Sequence, residues 1–382
     1  MSRKTLKKFL STVLPIMEIG PRSNPFLKKD EYKDVYYADI RNVDGINDFY
    51  KKVFVKEELI PFVKEELVPI DYVIKGTYLE TVGEKRFSAV FSSHVIEHTA
   101  DIIRHLEEVS QILEQDGHYV ICIPDKRYTF DYFRDITPFR DAYDVYINGN
   151  NALKRLTFDH SLMADKNLSD LRQYLIHSVS FREIAIDETV INKAFEEVKI
   201  MNDNIGRAHY WVFTFPSFLA LLRDCLRLNI LPYTLEYAEG TTLMSNEFYI
   251  VLKKDIDILK DIKRRQAEIT KINAMIESPK GIIDLMEFVN KYEKIYIYGS
   301  PQAAKFLIDK VSSESCSKIV GLVISDGFQK EDSEFSTYFL SEIVLASDVG
   351  IILAMREWSR NLVHNNLQKM GFTNILNGVL VD

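Results

Sequence analysis

Residues 94 to 98 read His94-Val95-Ile96-Glu97-His98, two imidazoles around a carboxylate. Imidazole is the side chain that titrates near neutral pH, so proton transfer and metal ligation are the chemistries this cluster raises first. A spacing of four puts both histidines on one face of a helical turn. The string is also H-x-x-E-H, in which two histidines hold zinc and the glutamate activates water. That pattern needs a long helix around it. Here Ala89-Val90-Phe91, an apolar run fit for a buried strand, ends just before it. No third ligand is evident, so no metal is expected, and a zinc hydrolase built on His94, Glu97 and His98 stays as the minor alternative.

The elements around the cluster set where it sits. After the strand, Ile102, Ile103, Leu106, Val109, Ile112 and Leu113 recur at helical steps with Glu107, Glu108 and Gln111 opposite. Asp116-Gly117 ends that helix, with Gly117 expected as its left-handed residue. Tyr119 to Ile123 is a second buried strand that stops at Pro124. Two strands joined by a helical crossover lie parallel, and ligands of such a sheet sit beyond the carboxyl ends of its strands. Those ends carry Ser92, Ser93, His94, Glu97 and His98 on one strand and Asp125, Lys126 and Arg127 on the next. Upstream, Val13 to Ile19 reads as a first strand leading into the Gly20-Pro21-Arg22-Ser23-Asn24-Pro25 turn. Val35 to Asp39 is a second strand and Asp71 to Ile74 a third, with a truncated first crossover between Gly20 and Val35. The repeat VKEELIPF then VKEELVPI, residues 55 to 70, is too short for a solenoid unit and reads as a surface duplication.

Strand, SSHVIEH, helix, Gly117, strand and IPD together resemble the second half of a class I S-adenosylmethionine-dependent methyltransferase. PDKRYTFDYFRDITPF and HYWVFTFPSF extend the likeness to a bacterial subgroup linked to surface-polysaccharide synthesis, over roughly residues 13 to 253. The resemblance implies S-adenosyl-L-methionine as cofactor, bound by Glu18, Gly20, Asn24, Asp39, Asp71, Ser92 and His94. Gly20 would let the backbone approach the methionine moiety, and Asp39 would accept from the ribose hydroxyls. Only one glycine of the usual Gly-x-Gly-x-Gly is present. His98 is then the base or acceptor-orienting group, Asp125 its partner, and His160 and His209 come from a cap to the same acceptor. For these last two a structural hydrogen bond is an equal reading. The activity implied is O-methylation of a sugar or glycan precursor, a small-molecule or glycan acceptor. A catalytically inactive scaffold with the same fold is the alternative.

Length and composition bound the rest. The chain has 382 residues and a formal net charge of -8, enough for two cores and acidic overall. Basic residues gather only in the short Arg3, Lys4, Lys7, Lys8 run, expected on a solvated first helix, so no nucleic-acid partner is expected. No apolar stretch approaches a membrane span, and the N-terminus lacks a cleavage site. Cys122, Cys225 and Cys316 stand at no ligand spacing and read as free thiols of a cytoplasmic protein. The expected organisation is α/β throughout: a Rossmann-like methyltransferase domain of mostly parallel sheet over residues 1 to 253, with a helical cap near 140 to 205. A charged helical linker follows over 254 to 290, where self-association to a homo-oligomer stays open. A small Rossmann-like domain over 291 to 382 ends the chain. Its Gly299-Ser300-Pro301 turn lacks the later glycines of a dinucleotide fingerprint, which gives the domain a structural or docking role.

Overall fold

A computed structural model describes residues 3–11, 14–53, 67–149, 153–164, 186–200, 208–277, 280–311, 313–330, 335–355 and 357–379. Most of the duplicated segment and much of the cap between 165 and 207 lie outside them. Seven strands make the first sheet: β1 (Ile16–Ile19), β2 (Val35–Asp39), β3 (Tyr72–Val73), β4 (Phe87–Ser93), β5 (Leu113–Pro124), β6 (Tyr233–Glu239) and β7 (Glu247–Lys254). Their order is β3-β2-β1-β4-β5-β7-β6. Only β7 runs antiparallel to its neighbours; the other pairings are parallel. This is a Rossmann-like methyltransferase fold, with its ligand edge at the carboxyl ends of β1, β2, β4 and β5.

The central strands are apolar almost throughout because both faces are covered. Met17, Val90, Tyr119 and Ile121 enter one core, and Ile16, Ala89, Phe91 and Val120 the other. Helices α1 (Val43–Val53), α2 (Tyr78–Val82) and α3 (Ile102–Ile112) follow β2, β3 and β4. Asp101 caps α3 by accepting from the Arg104 amide at 2.9 Å. At the far end the expectation needs correction. The helix stops at Ile112, capped by an extended Leu113, and the left-handed residue is Asp116, φ 65°, which lies inside β5 rather than at a helix end. Gly117 is required for another reason: a Cβ there would meet Glu114 O at 2.9 Å and Phe87 O at 3.2 Å.

After β5 the chain leaves the sheet through α4 (Phe139–Asn148), α5 (Leu153–Met163) and α6 (Glu188–Lys199), and returns by α7 (Phe215–Arg227). The charged segment that follows is divided between two cores. Ile269 and Ile272 of α8 (Ile262–Glu277) pack into the first core, whereas Leu285 and Val289 of α9 (Lys280–Lys291) belong to the second. The second core backs a sheet of β8 (Lys294–Gly299), β9 (Ile319–Ile324), β10 (Thr337–Phe339), β11 (Val349–Ala354) and β12 (Ile375–Leu376), ordered β10-β9-β8-β11-β12. All its pairings are parallel.

The first basic run is not wholly solvated. Residues Arg3–Phe9 form a 3-10 helix, and Arg3 reaches the buried Glu247 carboxylate on β7. Among the described residues no helix is long and apolar enough to cross a membrane.

Candidate active site

Two cavities adjoin at the ligand edge of the seven-stranded sheet. The larger, about 550 Å³, lies over the ends of β1, β2 and β4, and its lining includes Gly20, Asp39, Ile74, Tyr78, His94 and His98. The smaller, about 260 Å³, takes in Glu97, Tyr128, Phe130, His209 and Asn246. Arg22, His94 and His98 line both. They therefore form the partition between the two spaces.

The partition is backbone-defined. Gly20 follows β1 with φ 71°, and a Cβ on it would meet Val95 Cγ2 at 2.8 Å. This is the close approach that only glycine permits. Arg22 and His94 also adopt φ 53°, a conformation that costs a non-glycine residue about 1 kcal/mol or more and that concentrates at functional positions. His94 is held there by its ring. Its Nε2 lies 2.9 Å from Glu247 Oε2, so that nitrogen donates to the carboxylate. Burial alone would raise the Glu247 pKa; hydrogen bonds from Arg3 and His94 outweigh it and hold the group well below the usual carboxylate range.

Asp39, at the end of β2, lines the larger cavity, and its carboxylate accepts the Arg41 amide at 3.0 Å. Burial raises its pKa despite that bond. Below the cavity runs a buried chain: Tyr78 Oη to His105 Nδ1 at 3.2 Å, His105 Nε2 to Tyr119 Oη at 2.7 Å, Tyr119 Oη to Ser92 Oγ at 2.8 Å. Burial pushes His105 down to about 3, so its ring stays neutral.

The remaining residues expected at the cofactor lie elsewhere. Glu18 is buried and accepts from the Phe26 and Leu27 amides at 3.0 and 2.7 Å. It shapes the turn after Gly20 rather than lining the cavity. Asp71 accepts the Tyr37 amide at 2.8 Å and pairs with Lys29 at 3.0 Å, while Ile74 and Gly76 take its expected place. Asn24 is exposed and lines neither cavity. Ser92 spends its hydroxyl on Tyr119.

The acceptor side is assembled from distant segments. Residues 208–213 dock along the turn after β4. Tyr210 and Trp211 donate their amides to Glu97 O at 2.8 and 3.2 Å, and Trp211 Nε1 donates to Thr99 O at 2.6 Å. His98 Nδ1 stands 2.9 Å from Ala208 O. A carbonyl only accepts, so that nitrogen carries the proton and a neutral ring leaves Nε2 bare. Burial first, then the neighbouring His209, depresses the His98 pKa well below the ordinary imidazole value, so the ring is neutral.

His209 meets the His98 ring edge to face, centroids 4.6 Å apart. Its Nδ1 donates to Asp131 Oδ2 at 2.5 Å. Burial disfavours a charged His209, yet the Asp131 charge and hydrogen bond overcome it and raise the pKa. Asp131 is bonded in turn by Arg134 Nη1 at 2.8 Å, and Arg134 Nε reaches Asp159 on α5 at 2.8 Å. His160, next on that helix, lies with its ring 5.9 Å from that of His209. The structure thus gathers His98, His209 and His160. It does not gather Asp125, which is fully buried, binds Arg127 and accepts from Thr241 at 2.7 Å; its carboxylate organises the turn after β5 and lines neither cavity. The carboxylate that does partner the histidines is Asp131, the last residue of PDKRYTFD. Arg22 and Tyr78 were also missed, since nothing in their spacing marks them.

The H-x-x-E-H helix does not form. Ile96–His98 is a single 3-10 turn, and His94 precedes it with left-handed backbone.

No family model matches the chain, and no curated protein matches it. Among solved structures, a SAM-dependent methyltransferase from Methanosarcina mazei is 13% identical, with TM-score 0.31, covering 66% of this chain and 97% of that one. One from Mesorhizobium loti is 12% identical, TM-score 0.32, covering 66% and 96%. A putative Zn-dependent alcohol dehydrogenase from Rhodobacter sphaeroides is 15% identical, TM-score 0.37, covering 66% and 88%. The fold assignment rests on strand order and pairing direction, not on these likenesses.

Proposed function

We propose that the chain is an S-adenosylmethionine-dependent methyltransferase that methylates a hydroxyl of a sugar or glycan precursor. The observation that carries this is the pair of adjoining cavities with His98 in the partition. One space sits over β1 and β2 with Gly20 and Asp39 on its wall, and the other opens beyond His98. Methyl transfer is an in-line displacement, so donor and acceptor must enter from opposite sides of one point. When bound, the cofactor supplies an electrophilic methyl group on a sulfonium.

The chain's own residues would do the rest. Gly20 admits the backbone to close range, and Asp39 offers carboxylate oxygens to the ribose hydroxyls. His98 Nε2 faces the acceptor side unprotonated, placed to orient the hydroxyl and take its proton. The aromatic rings of Tyr128 and Phe130 with the polar Thr129 and Asn246 suit a ring that has apolar faces and hydroxyl edges. Titration calorimetry with S-adenosylhomocysteine tests the reading directly, because the product does not turn over. One-to-one micromolar binding is expected, followed by transfer of labelled methyl to a nucleotide-sugar or glycan acceptor. No heat, together with no thermal stabilisation, would overturn the reading in favour of a binding protein.

A further inference from the structure

Glu97 is a buried carboxylate, 1% exposed, and neither of its oxygens has a hydrogen-bond partner among the described residues. A buried carboxylate left without donors costs several kcal/mol and calls for a cation. What surrounds it is nitrogen. His98 Nε2 and His209 Nε2 each lie 3.9 Å from Glu97 Oε1, and the donor atoms of all three residues fall within 4.8 Å of one another. Both rings are fixed from behind: His98 Nδ1 donates to Ala208 O at 2.9 Å, and His209 Nδ1 donates to the Asp131 carboxylate at 2.5 Å. That second contact is the carboxylate–histidine arrangement that orients imidazole ligands and raises their basicity.

We propose that Glu97, His98 and His209 hold a divalent transition-metal ion at the wall of the smaller cavity. Two imidazoles and one carboxylate suit zinc or iron(II) and leave positions open, whereas magnesium and calcium favour all-oxygen shells. Ligand atoms around such an ion stand about 3.3 Å apart, so the two separations of 3.9 Å from Glu97 Oε1 would each close by about 0.6 Å on binding. The ligand set is not H-x-x-E-H: His94 Nδ1 lies 3.7 Å from Glu97 Oε1, but His94 falls outside the group whose donor atoms all lie within 4.8 Å of one another, and the third ligand comes from residue 209, over a hundred positions away. The open side faces the cavity that Glu97, His98 and His209 all line.

The ion site stands on its own geometry; its use rests on the methyltransferase reading. There the ion would bind the acceptor hydroxyl and lower its pKa. The hydroxyl proton would pass to water in the cavity, the oxygen would form its bond to the methyl carbon, and the carbon–sulfur bond would break with its electron pair left on sulfur. His98 would then act on the acceptor through the ion.

Full-length protein stripped with chelator and dialysed against Zn²⁺, or against Co²⁺ for its absorption spectrum, should take up one ion per chain. Co²⁺ should show the intense visible bands of a low-coordinate nitrogen and oxygen site. Glu97→Gln and His209→Gln should each weaken uptake by about 100-fold or more, beyond the 10- to 100-fold expected when an outer partner such as Asp131 is changed. Glu97 makes no side-chain hydrogen bond among the described residues, so Glu97→Gln should fold, with its thermal midpoint as the check. No stoichiometric uptake by the wild-type chain, uptake by the two variants equal to that of the wild type, or a preference for Mg²⁺ would each overturn the site. Homocysteine-product binding, measured in parallel, fails or succeeds separately and reports only on the methyltransferase reading.

Discussion

Asp39 lies on the wall of the larger cavity and His98 in the partition itself, and changing each should separate binding from chemistry. Asp39 lines only the larger cavity. On the proposed function Asp39→Ala would remove charge-assisted hydrogen bonds to the ribose, each worth about 1.5–3 kcal/mol, so the homocysteine product should bind about 10- to 100-fold more weakly by calorimetry. His98→Ala should leave that affinity within a few-fold and cut turnover by about 100-fold or more, the usual range for a lost proton-transfer group. Unchanged turnover would remove His98 from the mechanism. What sequence spacing gave correctly at this scale was residue type at a strand end. Side-chain direction was not legible. Glu18 and Asp39 end neighbouring strands, yet the Phe26 and Leu27 amides capture Glu18, and a strand turns alternate side chains to opposite faces, so one position decides cavity or core.

At the scale of elements, Glu247 joins three of them: the N-terminal 3-10 helix through Arg3, β7 on which it sits, and the end of β4 through His94. Its folded pKa lies below the unfolded value of about 4.5. The unfolded chain therefore binds the extra proton between those values, so the stability this group adds is present above pH 4.5 and is lost as pH falls through the folded pKa. Glu247→Gln should cost about 2–3 kcal/mol of stability at pH 7, given that Arg3 remains partly exposed, and lower the thermal midpoint accordingly. The two proteins should converge as the pH drops below 4; a gap that stays constant with pH would show that the pair contributes no charge-linked stability. Elements like these differ in how far sequence exposes them. β2 and β9 occupy Val35–Asp39 and Ile319–Ile324, the bounds their apolar runs indicate. Residues 208–213 have no period to read, because their position is fixed by bonds to Glu97, His98 and Thr99. That is why His209 could be suspected but the Glu97–His98–His209 cluster could not be seen.

For the whole molecule, the loop between β6 and β7 decides how the two sheets communicate. Thr241 on this loop donates to Asp125, Asn246 O accepts the Asp125 amide at 2.9 Å, and Asn246 lines the smaller cavity. Between them Leu243, 1% exposed, is buried in the core of the five-stranded sheet, and its amide donates to Val379 O at 2.6 Å. The second sheet therefore grips the loop that borders the smaller cavity, a physical task for the carboxy-terminal unit that requires no ligand. Leu243→Ala empties that socket and should cost about 2–5 kcal/mol. Calorimetric scanning can assign the cost. The homocysteine product stabilises only the unit that binds it, by mass action, so its addition marks the transition of the seven-stranded sheet. The substitution should lower the other transition and leave the marked one within a degree or two. If both transitions fall together, the sheets unfold as one cooperative unit, and the loop is a shared piece of a single core rather than a grip between two.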